Sequence, residues 1–186
     1  MSNDIAYPVF RAPDPVLALS VARRLMEFGR CEHSEVSVYA YLRSVAEVRR
    51  VAKELPEGWF RGKEECGEFD GVPREDQPAL VVGVQGPGLP ADPTAYEGRL
   101  PVECELFDRP VGSIEDAFTA AIGPNRGEIN WRELCWPDAL DLDLCGESKH
   151  AEVTLLFNTP HVTSTSPPTT TPSSSTFAAS ASTAAR

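Results

Sequence analysis

Ser34–Phe60 reads SEVSVYAYLRSVAEVRRVAKELPEGWF, and three successive hydrophobic rhythms within it set the class of fold. Val36, Val38, Ala40 and Leu42 alternate with Ser37, Tyr39, Tyr41 and Arg43, the period of two that sends neighbouring side chains to opposite faces of a strand. Because the two tyrosines make the second face fairly apolar as well, the strand is expected in the middle of a sheet. Ser44 and Glu47 have the spacing of a capping box, in which the hydroxyl accepts from the N–H three residues on while the carboxylate reaches back. Val48, Val51, Ala52 and Leu55 then recur at helical spacing and predict a stripe that packs on the sheet. Pro56 closes the helix, since proline cannot continue the ladder. From Trp59 a second strand is expected, running to Phe69 with a break near Gly62 and Lys63.

On the N-terminal side, residues 1–12 form an arm whose scattered apolar groups, Ile5, Tyr7, Val9 and Phe10, either add a short strand or lean on the core. Asp14 before Pro15 is a helix start: the carboxylate caps free N–H groups, and proline loses no bond at the first helical position. Leu17, Val21, Leu25 and Phe28 give that helix a spine with Ala18, Ala22 and Met26 beside it, and Gly29 is its stop. On the C-terminal side, Gly71, Pro73 and Pro78 mark a turn-rich connection. The unbroken apolar run Ala79–Val84 predicts a strand covered on both faces, and Gln85–Pro93 a loop.

Leu100–Phe107 alternates again and places Cys104 in the core, while Ser113 and Asp116 are spaced to cap a helix with the stripe Ile114, Ala117, Phe118, Ala121 and Ile122. Ile129, Trp131, Leu134 and Trp136 have the spacing of one helical turn. Leu140, Leu142 and Leu144, alternating with Asp141 and Asp143, read as an acidic edge strand, and Ala151–Phe157 as the last strand.

Helices separated by strands, with some strands following one another directly, predict an α+β fold: a two-layer sandwich of sheet and helices, ferredoxin-like with an added strand. The expected domain spans residues 13–162. Residues 163–186 are Ser, Thr, Pro and Ala with Phe177 as the sole aromatic, a composition that buries too little apolar surface to offset its ordering entropy and predicts a disordered tail.

A chain of 186 residues, 41% hydrophobic, can bury one substantial core. Its net charge of -11 argues against a nucleic-acid backbone or an anionic membrane as partner, because both require a cationic surface. The opposite use of that charge, an acidic DNA mimic that occupies a DNA-binding protein, needs dense acidic faces, and arginines interrupt nearly every candidate here. Only Lys53, Lys63 and Lys149 are lysines among 17 basic residues. The first residues, MSNDIAYPVFRAPDP, lack the basic start and apolar run of a secretion signal, and Val16–Ala22 is too short to span a bilayer. Cys31, Cys66, Cys104, Cys135 and Cys145 contain no close C-x-x-C pair, so reduced thiols and a cytoplasmic location are expected.

The sharpest candidate site joins Asp141, Asp143, Cys145 and His150. On a strand the two aspartates share a face, and carboxylates, a thiolate and an imidazole can converge on a divalent metal, the arrangement of a metal-dependent hydrolase. Against it, alternating acids are also a solvated edge that discourages strand pairing. Cys31 with His33 makes half a ligand pair. Cys104 or Cys135 with His150 or His161 has the chemistry of a thiol nucleophile and its base, given hydrogen-bond contact. Gln85–Gly88 lacks the lysine and the spacing of a phosphate loop and reads as a turn. Arg49, Arg50 and Arg61 near Trp59 suggest a basic, aromatic patch. Trp131 and Trp136 are candidates for an exposed protein-binding anchor, since tryptophan leads among interface hot spots, with plugging the end of the sheet as the alternative.

VYAYLRSVAEVRRVAKELPEGWF, followed by LPVECELF, resembles a loose group of small α+β proteins of actinobacteria and actinophages over residues 35–107. The resemblance implies a cytoplasmic, phage- or actinobacterium-encoded protein and carries over no catalytic residue. No cofactor is indicated. The expected function is therefore that of a non-catalytic binding or regulatory protein acting on another protein, with the metal-dependent hydrolase and the acidic DNA mimic as alternatives.

Overall fold

A computed structural model describes residues 3–27, 34–62, 71–136, 149–158 and 175–183, and at 3–8, 135–136, 149–151 and 175–183 it describes the backbone alone. In chain order the elements are β1 (Asn3–Ala12), α1 (Pro15–Met26), β2 (Glu35–Leu42), α2 (Val45–Glu54), β3 (Trp59–Gly62), α3 (Ala79–Val82) and β4 (Val84–Gln85). They continue with α4 (Thr94–Glu97), β5 (Val102–Pro110), α5 (Glu115–Ile122), β6 (Arg126–Trp136), β7 (Lys149–Phe157) and β8 (Ser175–Thr183). The strands form one antiparallel sheet of eight in the order β1-β8-β7-β6-β2-β5-β3-β4. The fold is α+β, a sheet packed against helices.

Strand β2 lies inside the sheet, paired with β5 on one side and β6 on the other. Its inner residues Val36, Val38, Ala40 and Leu42 are buried, under α2 and α5. The capping box of α2 forms as the spacing predicts: Glu47 N–H donates to Ser44 Oγ at 3.3 Å, and Ser44 N–H donates to the Glu47 carboxylate at 2.9 Å. Val48, Val51 and Leu55 are buried from that helix. The four strands flanking α2 and α5 run β2, β3, β5, β6 along the chain and β6, β2, β5, β3 in space, with all neighbours antiparallel. To this arrangement the sheet adds not one strand but four, β4 at one edge and β7, β8 and β1 at the other.

Several segments depart from the sequence reading, each for a local reason. Ala79–Val84 is not a strand: Ala79–Val82 makes one helical turn that buries Leu80 and Val81, and Gly83, at φ 86°, turns the chain so that only Val84–Gln85 pairs with β3. Ile129 to Trp136 is strand rather than helix. Its apolar spacing looks helical because a bulge between Trp131 and Leu134 inserts one residue into an otherwise alternating run, with Glu133 at φ 57°. Helix α5 is not capped by Ser113 and Asp116. Ser113 Oγ donates to the Pro110 carbonyl, the Glu115 carboxylate accepts from Gly112 and Ile114 N–H, and Asp116 pairs with Arg23 of α1.

Helix α1 starts as expected, with Asp14 accepting from Val16 and Leu17 N–H, but its buried face is Ala18, Leu19, Ala22 and Met26, leaving Leu17 exposed. The small residues Ala18 and Ala22 suit close seating of α1 over β1, β7 and β8. Within residues 163–186, the main chain of Ser175–Thr183 forms strand β8, hydrogen-bonded to β1 and β7. Alanine and serine offer little to bury, but partners on both sides satisfy the main chain of an inner strand. Of the two readings of residues 1–12, the strand is the one present: Asn3–Ala12 is edge strand β1. The expected continuation of β3 to Phe69 and the acidic strand at Leu140–Leu144 lie outside the described residues.

Candidate functional site

Helices α1, α2 and α5 pack on the same side of the sheet, which buries the inner residues of every central strand. The outward residues of those strands form the opposite face. Register across the pairs aligns one row through all eight strands: Arg11, Thr176, Leu156, Glu128, Tyr39, Glu105, Trp59 and Gln85. A parallel row holds Arg126, Tyr41, Glu103 and Arg61. Residues directly opposite on one face are close enough to interact, so the rows interleave aromatic rings with charges.

At the centre, Arg61 sits 3.0 Å from Glu103 and 3.6 Å from Glu105. Burial, reinforced by a hydrogen bond to Glu103 and the nearby Glu105, pushes the Tyr39 phenol well above the usual tyrosine range, so its hydroxyl stays protonated and donates to Glu103. Burial likewise holds the Glu128 carboxyl above the ordinary carboxylate range, with Arg126 pulling the other way. Trp59 is 49% exposed and Phe107 53% exposed, both large apolar groups open to solvent.

Beside Tyr39 the bulge between Val36 and Val38 breaks the pairing of β2 with β5 and opens a notch of about 110 Å³, lined by Ser37, Tyr39, Phe107, Glu128, Asn130 and Arg132. Ser37 Oγ accepts from Asp108 N–H at 3.3 Å, and Arg132 forms an ion pair with Asp108. Two polar atoms there, Asn130 Oδ1 and Arg132 Nε, are buried and make no hydrogen bond. A second, more open groove of about 500 Å³ lies between α2 and the Gly86–Ala91 loop. Arg49 spans it, donating from Nε to the Tyr96 hydroxyl at 3.2 Å and from Nη2 to the Ala91 carbonyl at 2.9 Å, so its cation serves to tie the loop down.

The sites expected from the sequence fare differently. Trp131 is not an exposed anchor: it is fully buried, and its indole N–H donates to Glu115 Oε1 at 3.0 Å. Trp136 ends β6, and its side chain lies outside the described residues. Asp141, Asp143 and Cys145 also lie outside them, as do Cys31, His33 and His161. His150 is placed by its backbone in β7, directly opposite Cys135. Cys104 is buried, and that burial pushes its thiol up to about 12, so it carries no thiolate near neutral pH.

Among the described residues no three His, Cys, Asp or Glu side chains gather as a metal site would require. Arg49, Arg50 and Arg61 are dispersed, Arg50 donating to the Ala121 carbonyl at 2.8 Å, so they form no common patch. Gly86–Gly88 is a tight turn whose first N–H donates to the Pro56 and Gly58 carbonyls. The residues of the notch went unremarked because nothing local singles them out. Tyr39 was visible as an outward residue of β2, but Glu128, Asn130 and Arg132 belong to the stretch whose bulge hides its period.

No family model matches the chain, and neither a curated protein nor a solved structure matches it. No helix among the described residues is long and apolar enough to cross a membrane.

Proposed function

We propose that this protein is a non-catalytic binding module that docks a polypeptide partner on the open face of its sheet. The observation that carries this reading is the exposed aromatic pair Trp59 and Phe107 set among Tyr39, Tyr41 and interleaved charges on a face that α1, α2 and α5 leave uncovered. Aromatic residues and arginine are the groups enriched in the cores of protein interfaces, where large rigid area is gained at little entropic cost. Charge selects the class of partner. Glu103, Glu105 and Glu128 repel a phosphate backbone, whereas Arg61, Arg126 and Arg132 between them keep the face from attracting only cations.

The test uses the full chain against a displayed random-peptide library, with Trp59→Ser/Phe107→Ser as the comparison. Both side chains are half exposed, so the double variant is expected to keep its melting temperature within a few degrees and to lose the peptides enriched on the parent chain. Enriched peptides that bind parent and variant alike, or no enrichment on the parent, would defeat this assignment of the face.

A further inference from the structure

We infer that the exposed rings of Trp59 and Phe107, with the Glu105 carboxylate beside them, form a receptor for one arginine side chain of the polypeptide partner; this rests on the docking reading above. The register fixes the arrangement. Trp59 lies directly opposite Glu105 of β5, and Tyr39 of β2 lies opposite it on the other side. Phe107 follows two residues along β5, on the same face and at the diagonal position from Trp59, a spacing that aromatic side chains bridge. Both rings are half exposed, and the Glu105 side chain is 27% exposed, so a guest arriving from solvent reaches all three.

Charge names the guest. Over the whole face acids and arginines mix, but around these rings they do not cancel. Arg61 is 3.0 Å from Glu103 and 3.6 Å from Glu105, and Arg109 forms an ion pair with Glu57, so two guanidiniums meet three carboxylates. Asp108, the next acid along β5, is matched by Arg132 and adds nothing to the excess. Arg61 makes its short contact with Glu103. At 3.6 Å it stands beyond hydrogen-bond distance of Glu105, which leaves that carboxylate open to accept from a guest. A cationic guest neutralises the cluster, whereas an anionic one adds to its excess. The exposed rings favour the same sign, because the face of an aromatic ring attracts a cation. A guanidinium answers both features at once: it is planar, so it stacks on an indole or phenyl ring, and its N–H donors fork onto a carboxylate. An ammonium is a compact, strongly hydrated charge and gives up the stacking.

The inference is tested by titrating the isotope-labelled full chain with N-acetyl-arginine N-methylamide, against the correspondingly blocked citrulline, which keeps the planar head without the charge, and blocked lysine. The arginine probe is expected to shift the Trp59 indole N–H and the amides of residues 59–61 and 103–107 at the lowest concentration of the three, and to bind more weakly as salt is raised. Glu105→Gln, which keeps the size and removes the charge, and Trp59→Ser are each expected to weaken this binding about two- to fivefold, the effect of one exposed ion pair or one exposed cation–π contact. Citrulline or lysine binding as tightly as arginine, shifts centred elsewhere, no shifts, or binding unchanged in Glu105→Gln overturns the assignment.

The peptide selection separates this failure from failure of the docking face. Peptides lost on the Trp59→Ser/Phe107→Ser chain but without an arginine at a common position leave the face standing and remove the arginine site. Peptides that share an arginine, and bind Glu105→Gln more weakly than the parent chain, support both.

Discussion

Glu115 is the side chain on which most local structure converges. It is fully buried at the start of α5, and its carboxylate accepts from Gly112 N–H at 2.7 Å, Ile114 N–H at 3.1 Å and Trp131 Nε1 at 3.0 Å. One residue thereby fastens the β5–α5 turn and satisfies the buried indole of β6. Glu115→Ala strands those donors and is expected to cost about 2–4 kcal/mol in urea unfolding, with Glu115→Gln costing roughly half as much because one acceptor oxygen remains. A loss below about 1 kcal/mol for the alanine variant would show that water replaces the carboxylate freely. Glu128 makes a pH-dependent case. Burial raises its carboxyl above the ordinary value of 4.5, so the folded chain holds that proton more tightly than the unfolded chain does. Ionising it therefore costs the folded state stability as pH rises from the ordinary carboxyl value through the raised one, and nothing below it. Glu128→Gln removes that loss. Its stability relative to the parent chain is expected to climb as pH rises above the ordinary carboxyl value of 4.5 in parallel denaturant titrations, and a flat difference would contradict the raised carboxyl.

Among the elements, those whose stabilising contacts are local were legible. The box at Ser44 and Glu47, the Asp14 cap and the alternation of β2 all involve groups within a few residues of one another, and each is present in the fold. Elements whose pattern is interrupted were not. The bulge in β6 turned a period of two into a helical-looking spacing, and Gly83 turned an apolar run out of the sheet. The contact of α5 with β6 shows what such interruptions serve. Gly127 lies where the helix seats on the strand, and a Cβ there would stand 2.7 Å from Ile122 Cδ1, 2.7 Å from the Tyr39 carbonyl and 3.0 Å from Phe118 Cζ. Gly127→Ala is expected to destabilise the chain by about 1–3 kcal/mol or more, because one of the three contacts is backbone and cannot swing aside. A thermal melt unchanged from the parent would mean that α5 lifts away without penalty. The ion pair between Arg23 and Asp116 joins α1 to α5 at 2.9 Å, but it is largely exposed, and its removal is expected to cost less than about 1 kcal/mol.

For the molecule as a whole, the unexpected feature is the route of its termini. β8 lies between β1 and β7, so among the described residues it is the strand that pairs with β1, with Asn3 opposite Thr183 and Ala12 opposite Ser175. Deleting residues 175–186 therefore removes the partner of β1 and makes β7 an edge. The truncated chain is expected to lose hydrogen-exchange protection at Val9 to Ala12 and to gain protease cleavage N-terminal to α1, while β2, β5 and β6 keep theirs. Retained protection of β1 in the truncated chain would show that α1 alone holds it.

The α+β class, the central position of β2 and the capped start and apolar stripe of α2 were determined by the sequence alone, because periodicity and capping act between residues less than about two turns apart. The open face, the notch that joins Ser37 and Tyr39 to Phe107 and Asn130, the Glu115–Trp131 bond and the insertion of β8 were decided only by tertiary structure. Each of these brings together groups from separate strands or helices, and no local pattern records which distant strand will be the neighbour or which face the helices will leave bare. The physical reason is that a strand's main chain accepts any partner of matching direction, so the choice of partner rests on burial summed over the whole core.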